Sequence, residues 1–165
     1  MILQLDDWKF DIDMERTMSH SAEEAQDHCT CGYCRNFYAA MEASIPQLKP
    51  LLAQFGIDAQ APDMLAPYDI SKDRMWYEGE YAVFGKILEM GKQPLHTDGF
   101  LLTPTYDEEY PLSQPVFILS LESAEIPWIL DEPMEDVVSP ANEPSFLKKM
   151  WDRLLNKLPN HHTPT

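Results

Sequence analysis

The sequence predicts a single α+β domain, in which a mainly antiparallel sheet of about four strands is packed by two helical segments. Some stretches alternate apolar with charged residues or are rich in aromatic and β-branched residues, which is typical of strands. Two other segments repeat apolar residues every three or four positions, which indicates amphipathic helices. No linker or internal repeat divides the 165 residues, a length that suits one domain with its own hydrophobic core.

Four stretches carry the strand patterns. In the first, every second residue is apolar and the residues between are charged, as expected for a strand with one buried face. In the second, Gly79 and Gly85 lie among aromatic and β-branched residues and indicate a bulge or a close approach of another backbone segment. The four predicted strands cover residues 8–14, 75–88, 100–106 and 116–121.

Two segments carry the helical pattern. In residues 32–55 an apolar stripe is interrupted by Pro46 and Pro50, and a proline inside a helix removes a backbone donor and clashes with the preceding turn. We therefore expect a kinked helix, with a first part over residues 32–44, a break, and a short second part. Residues 145–158 show the clearest apolar stripe, with basic residues on the opposite face, and predict a C-terminal amphipathic helix.

The domain is expected to span residues 1–158, and residues 159–165 are expected to form a frayed polar tail. Two stretches inside the domain lack a sustained apolar pattern. Residues 17–27 are polar and are predicted to form a loop or a short exposed turn of helix. Residues 57–74, with two prolines and several aspartates, are predicted to form an ordered surface loop.

The composition is that of a folded and strongly acidic protein. The chain is 44% hydrophobic and has a formal net charge of −16 at pH 7. Such a surface repels phosphate backbones, so nucleic-acid binding is not expected, whereas a basic protein partner would be attracted. No stretch approaches the roughly 18 apolar residues of a membrane span, and the first residues do not resemble a signal peptide. We expect a cytoplasmic protein without membrane contact, and the sequence predicts no oligomeric state.

All three cysteines of the chain lie within six residues, as Cys29, Cys31 and Cys34. Thiolates bind zinc, and the Cys-x-x-Cys spacing turns two sulfur atoms toward one ion. Cys31 and Cys34 lie at the predicted start of a helix, whose N-terminus stabilises thiolate charge, and Cys29 could turn back as a third ligand. The cluster therefore predicts a metal site with zinc as the cofactor, mainly for structure.

The fourth position of such a site needs a ligand from outside the cysteine cluster. His28 and His96 are the candidates from the protein, with His20 a further possibility and water the ligand of an open site. Arg35, in the first turn of the predicted helix, could donate hydrogen bonds that steady the thiolates, or could pair with nearby acids. Asn36 is expected on the exposed polar face of the helix.

Two other functions remain open. The chain could be an acidic interaction protein, of the inhibitor or immunity type, that covers a basic partner while its cysteines are incidental. It could also be a thiol redox or sensing protein, because residues 31–34 resemble locally the dithiol motif of thioredoxin-like proteins. The polar stretch before that motif does not match the buried strand that precedes it in the thioredoxin fold. No catalytic signature with a known reaction is present, so an enzyme is the less favoured expectation.

Overall fold

The structure, a computed structural model, describes residues 1–106 and 115–134. Within them the chain forms an α+β domain with six strands and three helices, which agrees with the predicted class but has two strands, β1 and β3, beyond the four that were predicted. The predicted helix at 145–158 and the tail at 159–165 lie outside the described residues. The elements are β1 (Ile2–Leu5), β2 (Trp8–Ile12), α1 (Met14–Gln26), α2 (Gly32–Ser44), α3 (Leu48–Ala53), β3 (Met64–Ser71), β4 (Arg74–Glu89), β5 (Leu101–Thr105) and β6 (Val116–Pro127).

The long strand β4 organises the sheet, in which every described pairing is antiparallel. One edge of β4 pairs with β6, which in turn pairs with β5. The other edge is shared by two strands in succession: β3 pairs along its first half, as far as Glu80, and β2 pairs along its second half, from Gly85. Residues 81–84 therefore form a gap on that edge, where no strand pairs with β4.

Gly85 marks the end of this gap and has a φ of +151°. A Cβ atom at this position would lie only 2.2 Å from the backbone oxygen of Asp11 in the neighbouring strand. Glycine is required here because the two backbones approach too closely for any side chain. The predicted close approach at Gly85 is confirmed, and the register shift next to Gly79 confirms the predicted irregularity there.

The hydrophobic core lies between one face of the sheet and helices α2 and α3. Phe10 of β2 stacks on Phe117 of β6 at 5.3 Å between ring centroids and meets Phe55, after α3, edge-on at 5.1 Å. Phe37 of α2 also packs its ring against that of Tyr77 of β4, with the two rings tilted. The largest fully buried side chains belong to this hydrophobic core and include Phe10, Phe37, Phe55, Tyr77, Tyr81 and Phe117.

Helix α1 (Met14–Gln26) is longer and more buried than the loop or short exposed turn of helix that was predicted for residues 17–27. Helix α1 begins after Asp13, whose side chain accepts a hydrogen bond from the backbone N–H of Arg16 at 3.1 Å and so caps the helix. Its buried positions recur at helical spacing, but they are polar, so no apolar stripe reveals them. They are Thr17, His20, Ser21 and Glu24.

The region predicted as one kinked helix contains two separate helices. Helix α2 ends at Ser44, Ile45 leaves the helical conformation with φ −134° and ψ 64°, and Pro46 follows directly. A residue before proline is pushed away from helical angles, which accounts for the interruption. Helix α3 then resumes at Leu48.

The predicted surface loop at 57–74 is also wrong, because β3 lies within it. Pro67 stands opposite Tyr77 in the pairing with β4. A proline is compatible with a strand that pairs along one edge only, since its missing N–H can face away from the neighbour. None of the helices in residues 1–106 and 115–134 combines the length and the apolar character that crossing a membrane requires.

Candidate metal centre

The three cysteines lie where the chain passes from α1 into α2. Cys31 is the N-cap residue of α2, with extended backbone angles of φ −64° and ψ 161°, and its side chain makes no capping hydrogen bond. Cys34 follows in the first turn, on the side to which an N-cap side chain points back. The backbone N–H of Cys31 donates to Sγ of Cys29 at 3.5 Å, and this contact holds the Cys29 sulfur near the start of α2.

The ligand atoms of the three cysteines lie within 4.8 Å of one another. Zinc–sulfur bonds of about 2.3 Å in tetrahedral geometry place two sulfur atoms about 3.8 Å apart, so the cluster is compatible with one ion. Cys34 is buried, whereas Cys29 and Cys31 are exposed, and all three are free thiols. The structure therefore brings together three cysteines that can hold a metal ion.

Burial controls the charge state of Cys34. The pKa of the Cys34 thiol is raised well above its usual value, first by loss of contact with water and then by the neighbouring thiols of Cys31 and Cys29. The pKa of Tyr38 is raised for the same reasons, with burial first and Cys34 second. Without a cation, Cys34 thus carries its proton at neutral pH, and a bound metal ion would supply the charge that releases it.

Asn36 fixes the first turn of α2 against the sheet. Its side-chain amide donates to the backbone oxygen of Pro127 at 3.0 Å and to the hydroxyl of Tyr77 at 3.3 Å, and its oxygen accepts from the N–H of Ile129 at 2.8 Å. The Tyr77 hydroxyl in turn donates to the backbone oxygen of Tyr33, between the cysteines, at 2.9 Å. Asn36 is fully buried, so the prediction of an exposed polar residue is wrong.

Arg35 holds the cysteine loop from its outer side. Its Nε donates to the backbone oxygen of Thr30 at 2.9 Å, and its guanidinium pairs with Glu132. Glu132 is itself placed by Trp128, whose indole N–H donates to its backbone oxygen at 2.8 Å. Of the two predicted roles, the structure shows the ion pair with an acid, together with a contact that orders the backbone between Cys29 and Cys31.

The predicted histidines do not join the three sulfur atoms. Among the described residues, the group of ligand atoms within 4.8 Å of one another contains the sulfurs of the three cysteines and no histidine nitrogen. His28 stacks on Tyr38, with 4.7 Å between ring centroids, and so lies beside the cluster. His96 lies elsewhere, where it stacks on Phe100 and forms a hydrogen bond of 2.7 Å with the backbone oxygen of Asp98.

His20 belongs to a second group of ligand atoms, with Glu24 and Asp63, that sequence reasoning missed. The spacing of four residues between His20 and Glu24 was the available signal, since it puts two ligating side chains on one face of a helix. The prediction of a loop at 17–27 concealed it. Asp63 is distant in sequence, and nothing in the local pattern connects it to the other two.

No protein-family model matches the chain, and neither a curated protein nor a solved structure shows significant similarity to it. The function must therefore be inferred from the geometry and chemistry of the sites themselves.

Proposed function

We propose that this protein binds one zinc ion through the thiolates of Cys29, Cys31 and Cys34. The observation that carries the proposal is the convergence of three sulfur atoms within 4.8 Å at the start of α2. Thiolate ligands favour zinc and other soft ions, and the helix N-terminus adds partial positive charge that favours the deprotonated form.

The environment of the cluster supports a mainly structural role for the ion. Cys29 lies in the connection between α1 and α2, whereas Cys34 lies in α2, so a bound ion would tie this loop to the first turn of the helix. Asn36 and Arg35 hold that same turn and loop in place through hydrogen bonds. Such contacts around metal ligands orient them and raise the affinity for the ion.

Three protein ligands leave one position of a tetrahedral ion open. The exposure of Cys29 and Cys31 gives water access to that position. The stacking of His28 on Tyr38 supports His28 as the candidate ligand from the protein. We assign the fourth position to water or to His28, and a His28→Ala variant separates these alternatives by its zinc affinity.

The test is a titration of the metal-free, reduced protein with Co²⁺, followed by displacement with Zn²⁺. Three thiolate ligands predict strong near-ultraviolet absorption from sulfur-to-cobalt charge transfer, which rises to about one equivalent and disappears when zinc is added. Replacing all three cysteines with serine should abolish this absorption. Thr30→Ser, between two of the cysteines, keeps every thiol and serves as the matched control.

Two results would overturn the proposal. The first is that wild-type protein and the triple Cys→Ser variant bind Zn²⁺ with the same affinity, because the ion would then lie elsewhere. The second is that the protein binds no zinc but is recovered with a disulfide between Cys31 and Cys34 when purified without reductant. That second result would favour the thiol redox function.

A further inference from the structure

The gap on the edge of β4 is closed by side chains instead of by a strand. The N–H of Phe84 donates to Oγ1 of Thr17, in α1, at 3.1 Å. The N–H of Ala82 donates to Oδ2 of Asp63, just before β3, at 2.7 Å. Helix α1 and the residue before β3 thus meet at this gap, where polar side chains accept from the backbone N–H groups of Ala82 and Phe84, and the backbone oxygen of Phe84 accepts from the N–H of Asp13.

Three ionisable side chains are collected at this point, and each is almost completely buried. His20, Glu24 and Asp63 are 8%, 4% and 7% exposed, and their ligand atoms all lie within 4.8 Å of one another. Nε2 of His20 and Oδ1 of Asp63 are 2.5 Å apart. His20 and Glu24 are one helical turn apart, so both side chains leave the same face of α1.

This combination differs from an ordinary buried ion pair. Here a second buried carboxylate, that of Glu24, joins the pair of His20 and Asp63, with a ligand atom within 4.8 Å of those on the other two side chains. Removing a carboxylate from water is unfavourable, so this grouping costs the fold stability. One imidazole and two carboxylates are the ligand types that bind divalent first-row transition ions such as Mn²⁺ and Fe²⁺.

Asp63 also has the surroundings expected of a metal ligand. Its Oδ2 is held by the backbone N–H of Ala82, which fixes the orientation of the carboxylate and leaves Oδ1 directed toward His20. Hydrogen bonds of this kind orient ligands in protein metal sites. Ligand atoms on one ion are about 3 Å apart, so the nitrogen and oxygen need to separate by only about half an ångström for an ion to replace the shared proton.

We propose that His20, Glu24 and Asp63 form a second metal site, which takes a divalent cation of the Mn²⁺ or Fe²⁺ type. This site is independent of the zinc site proposed above, because it uses nitrogen and oxygen ligands on other elements. Three protein ligands leave the remaining positions of the ion for water. A bound ion would lock α1 onto the edge of β4.

The test uses Mn²⁺ alone as the probe, and the loss of its free-ion electron paramagnetic resonance signal measures binding. The full-length triple Cys→Ser variant is the first background, and zinc-loaded wild type is the second in case the serine variant does not fold. We expect one equivalent of Mn²⁺ in both backgrounds. Glu24→Gln should weaken binding by about 100-fold, the upper range for changes around metal ligands.

The matched control is Glu23→Gln, which removes the same charge from the adjacent, exposed position of α1. Binding should change by less than about twofold, because an exposed charge that does not ligate the ion is screened by water and salt. Equal loss in the Glu23 and Glu24 variants would show nonspecific attraction of Mn²⁺ to an acidic surface and would overturn the proposal. Absence of Mn²⁺ binding in a folded protein would also overturn it, and the group would then be a structural ion pair.

Discussion

The two groups of metal-ligating residues are assembled by different means. Cys29, Cys31 and Cys34 are neighbours in sequence, and two of them are exposed at the start of α2. His20 and Glu24 reach Asp63 only because α1 packs on the gap in the edge of β4, and all three are buried. The first group depends on the covalent chain, whereas the second depends on the fold.

This difference has an energetic consequence. The cysteine cluster is held together by the chain and is open to water. Changing one of its ligands in the metal-free protein should therefore cost little stability. A buried group of charges stabilises the fold only while its partners are in place, because a remaining charge without a partner is costly.

Asp63→Ala should lower the free energy of unfolding by about 3–5 kcal/mol, the usual cost of breaking a buried pair. It removes the acceptor of both His20 and the N–H of Ala82. Urea unfolding of the metal-free protein measures the change. Asp98→Ala, at an exposed site, is the control and should cost less than about 0.5 kcal/mol. A cost of similar size for Cys29→Ser in metal-free protein would contradict the contrast between the two groups.

Asn36→Ala should cost about 2–3 kcal/mol, because buried groups on Pro127 and Ile129 lose their partners. The same change should weaken zinc binding by about tenfold, since it frees the first turn of α2 that carries Cys34. Glu42→Ala, on the exposed side of α2, is the control for both measurements. Full zinc affinity in a folded Asn36→Ala protein would show that the hydrogen bonds of Asn36 do not position the cysteines.

Alkaline pH should destabilise the metal-free protein. In the folded protein the pKa of Cys34 lies above the usual thiol value of 9.0, and the pKa of Tyr77 is raised from 10.0 to about 12. Both shifts are caused chiefly by burial. The unfolded chain therefore loses these protons first, and stability falls as pH rises above about 9 through Cys34 and above about 10 through Tyr77, by up to about 1.4 kcal/mol per pH unit for each group. Below that range the contribution is fully present.

Zinc should flatten this pH dependence, because a metal-bound Cys34 is already a thiolate in the folded protein. Urea midpoints measured across alkaline pH, with and without bound zinc, test the prediction. Zinc binding itself should strengthen as pH rises through the neutral range, since protons compete with the ion for the thiols. Parallel pH profiles for the two forms would argue against Cys34 as a ligand.

Arg35→Ala should have the smallest effect on stability, below about 1 kcal/mol, because its pair with Glu132 is roughly half exposed. Arg74 forms a similar exposed pair with Glu125, away from the cysteines, so Arg74→Ala is the matched control. We expect equal losses of stability in the two variants. Zinc affinity should fall only in Arg35→Ala, because Arg35 also orders the backbone at Thr30.

The sequence predicted the parts of the structure whose signal is local. The start of α2 and the convergence of the cysteines follow from spacing along a few residues, and β4 follows from its run of aromatic and β-branched residues. Helix α1 was missed because its buried face is polar, and β3 because Pro67 hid a strand that pairs along one edge. The cytoplasmic location and a basic protein partner stay predictions.

The residues around the sites could not be predicted for a related reason. Asn36 was expected to face water, and only the packing of α2 against Pro127 and Ile129 shows that its amide is buried and fully used. Asp63 joins His20 through the antiparallel pairing of β3 with β4, which brings distant residues together. Contacts of this kind join segments that are far apart in sequence, and the pattern of residues within one segment does not show which other segment it meets.

The most direct test of the central claim is the metal content of the full-length protein, purified without chelator, together with its reactive thiols before and after metal removal. The proposed zinc site predicts about one equivalent of zinc and thiols that react only after chelation. Metal-free protein in which all three thiols react at once would contradict it.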